Sequence, residues 1–172
     1  MPDTPSKHLI LTLAFGMGNN WSNATLRRIT GNASTDLNAR VFTQPDIGNL
    51  IEYVASPVIM VAEPPGKPAP TLRICRAATQ WAKQNGITDI HLVAAAPHLV
   101  RARHDLVLAI RDAGGGLQMH ICSEKELGGY HSDWWFAEPN TQRYTNSPWR
   151  WYPRECILRI LMRLGLYRFV AS

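Results

Sequence analysis

Short apolar runs of strand length alternate along the chain with segments whose apolar residues recur at helical spacing. Five of these runs predict strands, at residues 8–14, 39–43, 57–62, 89–96 and 117–122. Most of them are apolar at consecutive positions, which is typical of strands that are buried on both faces. Because helical segments separate the strands, the pattern predicts a parallel sheet that helices cover on both sides.

The helical segments in the first half of the chain have recognisable ends. A short helix is predicted over residues 23–29, running into Gly31, and a second over residues 44–56. The helix that begins at Thr71 is the clearest, because its apolar residues follow the helical period. Gly86 follows it and suits a left-handed C-terminal cap.

The second half of the chain is predicted to hold a further helix, an irregular segment and a closing helix. Pro97 fits the first turn of the further helix, where its missing N–H costs nothing, and Gly114–Gly116 ends it. Residues 123–152 carry many aromatic side chains among polar ones, which favours an ordered irregular segment that wraps the domain or covers a cleft. The closing helix is predicted over residues 153–169, opened by Pro153.

This order of elements defines the expected fold class. Right-handed crossovers between parallel strands would give a Rossmann-like, doubly wound α/β fold, with about five strands and helices on both faces. The whole chain, 1–172, is predicted to form a single domain, because 172 residues suit one domain of ordinary size.

Composition changes this picture mainly through charge. The hydrophobic share of 45% allows a packed core, and the formal net charge is +5. An excess of positive charge favours acidic partners such as phosphates, nucleic acid or anionic lipid, although a generally basic protein without such a partner fits equally well. No nucleic-acid recognition motif accompanies the charge, so nucleic acid is not the expected partner. The oligomeric state stays open.

Cysteine and histidine spacing gives no sign of a metal centre. Cys75, Cys122 and Cys156 lie far apart, and an odd count without CxxC spacing argues against a disulfide framework or a structural zinc site. His91 and His120 fall inside predicted strands and are expected to be hydrogen-bonded core residues. No signal peptide or spanning helix is predicted, so a cytoplasmic protein without a transmembrane anchor is expected.

Parallel sheets bind ligands beyond the carboxyl ends of their strands, and this rule selects the candidate site residues. The turn FGMGNN follows the first predicted strand and offers Gly16, Gly18 and Asn19 as a cradle for an anion. The turn matches neither GxGxxG nor a P-loop, and a plain turn is the alternative. Glu63 follows the third strand, where it is either a base at the mouth of the site or an ordinary loop carboxylate.

His98 and Arg101 follow the fourth strand, within the first turn of the next helix. Free backbone N–H groups and the positive end of the helix dipole favour an anion at this position. Arg101 could fork onto a phosphate or carboxylate, and His98 could donate, accept or move a proton. The alternative is that His98 only terminates a strand and that Arg101 is solvated.

The stretch TLRICRAATQWAKQNGITDIHLVAAAPHLVRARHDL resembles the core of the YdcF/SanA-like proteins, a bacterial family of unknown function. Its turn PHLVRA matches the family's YHMPRA-like turn at His98, Arg101 and Ala102, while Pro97 replaces the usual aromatic residue. The segment PRECILRILMRLGLYRF is similar to the family's closing helix, with its acidic residue near the start.

The resemblance implies a Rossmann-like fold and, for some members, a ligand such as S-adenosylmethionine or another nucleotide-like molecule. Glu63 and Thr71 could fill the acidic and threonine positions of a second family motif, whereas Arg73 and Ile74 stand where Glu and Asn are usual. Other members have envelope-related roles and a membrane anchor, which is not expected here.

Two functions are therefore expected as alternatives. In the first, the chain binds a small anionic or nucleotide-like ligand. Whether it is also an enzyme stays open; His98 and Glu63 would be the catalytic groups of its reaction. Gly16, Gly18, Asn19, Thr71 and Arg101 would then bind the ligand. In the second, the chain is a non-catalytic interaction protein that uses the Trp-rich segment 134–151 and the arginines of the closing helix.

Overall fold

The computed structural model describes residues 6–51, 58–61, 70–122, 132–136, 142 and 144–170. The strands within these residues are β1 (His8–Thr12), β2 (Arg40–Thr43), β3 (Val58–Met60), β4 (Asp89–Val93) and β5 (Gln118–Ile121). They form a parallel sheet in the order β3-β2-β1-β4-β5. The five predicted strands are thereby confirmed, each shorter than its apolar run.

Helices connect the strands and pack on both faces of the sheet. They are α1 (Trp21–Asp36), α2 (Pro45–Gly48), α3 (Thr71–Gln84), α4 (Ala96–Asp112) and α5 (Pro148–Arg163), with 3₁₀ turns at Ser132–Phe136 and Tyr167–Phe169. One core lies between the sheet and α3 and α4. A second core lies on the opposite face and contains side chains of α1, α2, the first 3₁₀ turn and α5. The α/β Rossmann-like fold class is therefore confirmed.

The sheet order places a crevice at the carboxyl ends of β1 and β4. From β1 the chain moves outward to β2 and β3, and it then returns to the other side of β1 to form β4 and β5. The connections after β1 and β4 therefore run to opposite sides, which leaves a gap between them at this edge of the sheet.

α1 is longer than the predicted helix over residues 23–29, and the expectation that it runs only to Gly31 is wrong. Asn20 caps its start by accepting a hydrogen bond from the Asn23 backbone N–H at 2.8 Å. The helix continues through Gly31 because its buried face extends on to Ser34. It closes instead at Asn38, which adopts a left-handed φ of 46°.

α2 spans a single turn, whereas the sequence predicted a helix over residues 44–56. Pro45 opens it as expected, but the helix ends at Gly48. A Cβ at Gly48 would lie 2.7 Å from the Met60 side chain, so the chain passes close to β3 here. Leu50, three residues after the buried Ile47, is exposed. Residues 52–57 lie outside the described part of the chain.

α5 begins at Pro148 and ends at Arg163, which corrects the predicted helix over residues 153–169. Pro148 occupies the first turn, where no intrahelical partner for its N–H is needed. Pro153 lies inside the helix on its exposed side. Gly165, with a φ of 71°, terminates the helix.

Two other predicted helix boundaries are confirmed. Gly86 has a φ of 67°, and the Ile87 N–H donates to the Ala82 carbonyl at 3.0 Å, which is a Schellman cap. Pro97 lies in the first turn of α4, and Gly114–Gly116 follow that helix with positive φ. The three cysteines form no disulfide.

The strand histidines differ from the expectation of hydrogen-bonded core residues. His91 is only half-buried and lies 3.2 Å from the His8 ring, from Nε2 to Nδ1. The His120 ring stacks on His91 and bonds Asp89 at 2.8 Å, but its side chain is 44% exposed. Both lie in the middle of their strands, and neither lines the crevice.

Candidate functional site

A cleft of about 240 Å³ opens at the carboxyl edge of the sheet. The connections after β1, β2, β3 and β4 all contribute residues to this cleft. Cys122, the described residue that follows β5, does not line it. The lining includes Leu13–Gly16 after β1, Gln44 after β2, Thr71 on α3, His98 and Arg101 on α4, and Trp151 and Arg154 on α5. Helix α5 thus closes the side of the cleft that the sheet leaves open.

Thr71, His98 and Arg101 form a connected, buried group in this cleft. Arg101 Nη1 donates to Thr71 Oγ1 at 2.9 Å, and Thr71 Oγ1 lies 3.2 Å from His98 Nε2. Because a guanidinium only donates, the threonine oxygen accepts from it. Toward His98 Nε2 the Thr71 hydroxyl can either donate or accept with its second lone pair, and the tautomer of the ring follows from that choice.

His98 has one buried ring nitrogen without a hydrogen-bond partner in the described part of the chain. Its side chain is buried, and Nδ1 has no hydrogen-bond partner among the described residues. Burial lowers the pKa of His98 well below its ordinary value, and the positive charges of Arg101 and Arg154 lower it further. The imidazole is therefore neutral near pH 7. A buried polar atom without a hydrogen-bond partner costs about 1–3 kcal/mol.

Arg101 is held by a carboxylate that the sequence did not assign to the site. Its Nε donates to Glu155 Oε2 at 3.0 Å, and both side chains are buried. Glu155 also accepts from Arg159, one turn later on the same helix, at 3.5 Å. The sequence signal that could have assigned Glu155 to the site is its spacing. Glu155 lies four residues after Trp151 and so shares its helix face.

Trp151 fixes α5 against the beginning of α4. Its Nε1 donates to the Pro97 carbonyl at 3.4 Å, and its ring meets the edge of His98 with centroids 5.8 Å apart. The Arg101 guanidinium lies over the same ring, 5.5 Å from its centroid. The tryptophan therefore holds both candidate polar residues in place, which the prediction of a Trp-rich cover did not specify.

Arg154 is a second arginine in the cleft and was not among the predicted site residues. It lies over the Tyr144 ring at 5.4 Å and forms no ion pair with a described carboxylate. Loss of hydration and the charge of Arg101 lower the pKa of Arg154. Among the described residues that line the cleft, two are arginines and none is a carboxylate. An anion is the complementary ligand for such a lining.

Tyr167 joins the cleft to a buried acid behind it. Its hydroxyl donates to Asp105 Oδ2 at 2.9 Å, and Asp105 lies one helical turn after Arg101 with no exposed surface. Burial raises the pKa of Asp105 to about 6. Burial also raises the pKa of Tyr167, and the neighbouring Asp105 raises it further, so the phenol stays protonated.

The glycine turn after β1 contributes less to the cleft than its sequence indicated. Gly16 lines the cleft, whereas Gly18 and Asn19 are not among its lining residues. The Gly18 N–H donates to Asp46 Oδ1 at 2.7 Å, and the Asn19 side chain accepts from Arg27. These contacts are internal to the protein. Glu63, the other predicted catalytic group, lies outside the described residues.

Within the described ranges, no three His, Cys, Asp or Glu side chains are grouped so that they could hold a metal ion. None of the helices in the same part of the chain is long and apolar enough to cross a bilayer. Comparison with models of protein families, with curated proteins and with solved structures found no match to this chain. The resemblance to the YdcF/SanA-like proteins therefore stays a prediction from the short motifs quoted above.

The arrangement is suited to holding a small anion. Arg154 offers a guanidinium with no described carboxylate partner, and Arg101, which is also paired with Glu155, adds positive charge. A volume of about 240 Å³ lies below the usual range for drug-sized ligands, which is about 300–1,000 Å³. A compact ligand, or one group of a larger ligand, therefore fits the described cleft.

Proposed function

We propose that this chain binds a small anionic ligand in the cleft, with a phosphate or carboxylate group against Arg154 and Arg101. The observation that carries the proposal is the lining of two arginines without a described carboxylate. The proposal includes the cytoplasmic location predicted from the sequence and the bacterial source that the family resemblance implies.

The ligand class follows from the chemistry of these groups. A guanidinium binds phosphate and carboxylate oxygens through parallel N–H donors. Nucleotide-like ligands and S-adenosylmethionine, which the family resemblance implies, both carry such an anionic group. If the chain is an enzyme, His98 is the residue placed to hold or move a proton beside the bound anion.

A thermal-shift screen tests the proposal. Inorganic phosphate, adenosine monophosphate, S-adenosylmethionine and a hexose phosphate are compared with uncharged ribose and glucose. An anion is expected to raise the melting temperature, and the neutral sugars are expected to leave it unchanged. If none of the anions stabilises the chain, the proposal is wrong.

Arg154→Ala is the variant that locates the binding, with Arg163→Ala as its control. Both substitutions remove one arginine from α5, but Arg163 does not line the cleft. Arg154→Ala is expected to weaken anion binding about 10- to 100-fold, since a charge-assisted hydrogen bond contributes about 1.5–3 kcal/mol. Equal affinity in the two variants would place the anion elsewhere.

A further inference from the structure

The outward side of α5 carries a continuous stripe of exposed apolar residues. In an α-helix, residues three and four apart share a face, and this spacing connects Trp149, Pro153, Cys156, Ile157, Ile160 and Leu164. Trp149 is 88% exposed and Leu164 is 64% exposed. The stripe continues past the helix end to Phe169, which is 75% exposed.

The stripe is not the core-facing side of the helix. The opposite side of α5 carries Trp151 and Glu155, which are buried against α4 and the cleft. The helix is therefore apolar on the side that the fold leaves open and is anchored through the other side. Large apolar side chains in a contiguous exposed patch are typical of a surface that another apolar body covers.

All charged side chains of α5 and of the described residues beside it in the chain, except Glu155, are positive. Residues 144–170 contain five arginines and a single acid, Glu155, which is buried against Arg101. Helical spacing places Arg159 and Arg163 along one edge of the stripe and Arg150 along the other, and Arg168 follows the helix. The exposed charge of this region is therefore entirely positive.

We propose that this surface, the stripe of α5 with its flanking arginines, docks on an anionic lipid bilayer. Apolar residues beside arginines, on a helix too short to span the bilayer, are the pattern of an interfacial helix. Trp149 and Phe169 would enter the headgroup region, and the long arginine side chains would reach the lipid phosphates. The inference is independent of the anion proposed for the cleft.

A second copy of the chain fits this surface less well. Pairing two stripes face to face would bring the flanking arginines of both copies together without any exposed acid on this region to neutralise them. An acidic protein partner would satisfy the charges, but the stripe is the convex side of one helix and offers no groove for a peptide. The bilayer is the occupant that matches both the apolar stripe and the uniform charge.

Vesicle co-sedimentation with the full chain tests the proposal. Vesicles of equal parts phosphatidylcholine and phosphatidylglycerol are compared with vesicles of phosphatidylcholine alone. Binding is expected only to the anionic vesicles, and it should weaken as salt is added. Arg163→Ala is expected to reduce binding about fivefold, since one arginine near an anionic surface contributes about 1 kcal/mol.

The variant Ile160→Asp/Leu164→Asp tests the stripe itself. Both side chains are exposed, so the fold should be unaffected, and circular dichroism checks this. Val107→Asp on α4 is the matched control, because Val107 is an exposed apolar residue that does not belong to the stripe. The double variant is expected to lose binding at least tenfold, whereas the control should bind as wild type does.

Three results would overturn the proposal. The first is no binding to anionic vesicles, as expected if the partner is an acidic protein, and the second is binding that the double variant retains. The third is a wild-type protein that does not bind lipid but forms a dimer in light scattering, where the double variant stays monomeric.

Arg154→Ala separates the two proposals. It removes a cleft residue and should weaken anion binding about 10- to 100-fold. Its effect on vesicle binding should not exceed that of Arg163→Ala.

Discussion

Replacing Asp105 by asparagine should stabilise the protein at neutral pH. The carboxyl group has no exposed surface, and only one of its oxygens, Oδ2, accepts a hydrogen bond, from Tyr167 at 2.9 Å. The other oxygen lies buried without a hydrogen bond, 3.6 Å from His104 Nδ1. Burial raises the pKa of Asp105 to about 6, although Tyr167 and Arg101 partly offset the burial.

The sign and size of the effect follow from that pKa. An unfolded aspartate titrates near pH 3.9, so between about pH 4 and 6 the folded state binds more protons than the unfolded state. Stability from this group is therefore complete below pH 4 and is lost as the pH rises through 6. About two pKa units correspond to roughly 3 kcal/mol.

Asparagine should avoid this loss without removing the hydrogen bond. Its carbonyl oxygen can accept from Tyr167, and its amide group can lie beside His104 Nδ1 in place of the unbonded oxygen. We expect Asp105→Asn to match the wild type near pH 4 and to exceed it by up to about 3 kcal/mol at pH 8.

Urea unfolding between pH 4 and 8 measures the difference. The other titrating groups are shared, so the difference between variant and wild type isolates Asp105. Asp112→Asn is the control, because this carboxylate lies at the exposed end of the same helix. If Asp105→Asn is less stable than the wild type at pH 8, the ionised carboxylate stabilises the fold and the reasoning from burial is refuted.

Two further predictions concern buried charge and the strand histidines. Glu155→Ala should lower the free energy of unfolding by about 3–5 kcal/mol, because it leaves Arg101 buried without its carboxylate; a loss below 1 kcal/mol in urea unfolding would contradict this. Burial and the neighbouring His120 and His8 lower the pKa of His91 to about 4, so its folded state resists protonation. Stability should fall as the pH drops from about 6.5 to 4, by about 1–2 kcal/mol after allowance for its half-exposed ring. His91→Gln should flatten that slope, and an unchanged slope would contradict the assignment.

The sheet was predictable because its strands are buried on both faces. Runs such as residues 8–14 and 89–96 are apolar at consecutive positions, and such runs are strand signals that need no knowledge of the neighbours. Helix ends were less predictable. Gly31 is a residue typical of helix ends. Helix α1 nevertheless continues through it, because tertiary contacts bury one face of the helix after Gly31.

The candidate site was predictable where it follows from sheet topology. Thr71, His98 and Arg101 were expected at the carboxyl edge, and the structure brings them within hydrogen-bond distance of one another. Glu155 and Arg154 were not assigned to the site, since their placement depends on where α5 packs. The partners Arg101 and Glu155 are 54 residues apart, and no local pattern encodes such a contact.

Calorimetric titration of inorganic phosphate into the wild type, Arg154→Ala and Arg163→Ala tests the cleft as an anion site most directly. If the anion lies against Arg154 and Arg101, the wild type and Arg163→Ala should bind phosphate with equal affinity. Arg154→Ala should bind it about 10- to 100-fold more weakly. Phosphate binding of the same strength in all three proteins, or no binding to any of them, would contradict an anion site in this cleft.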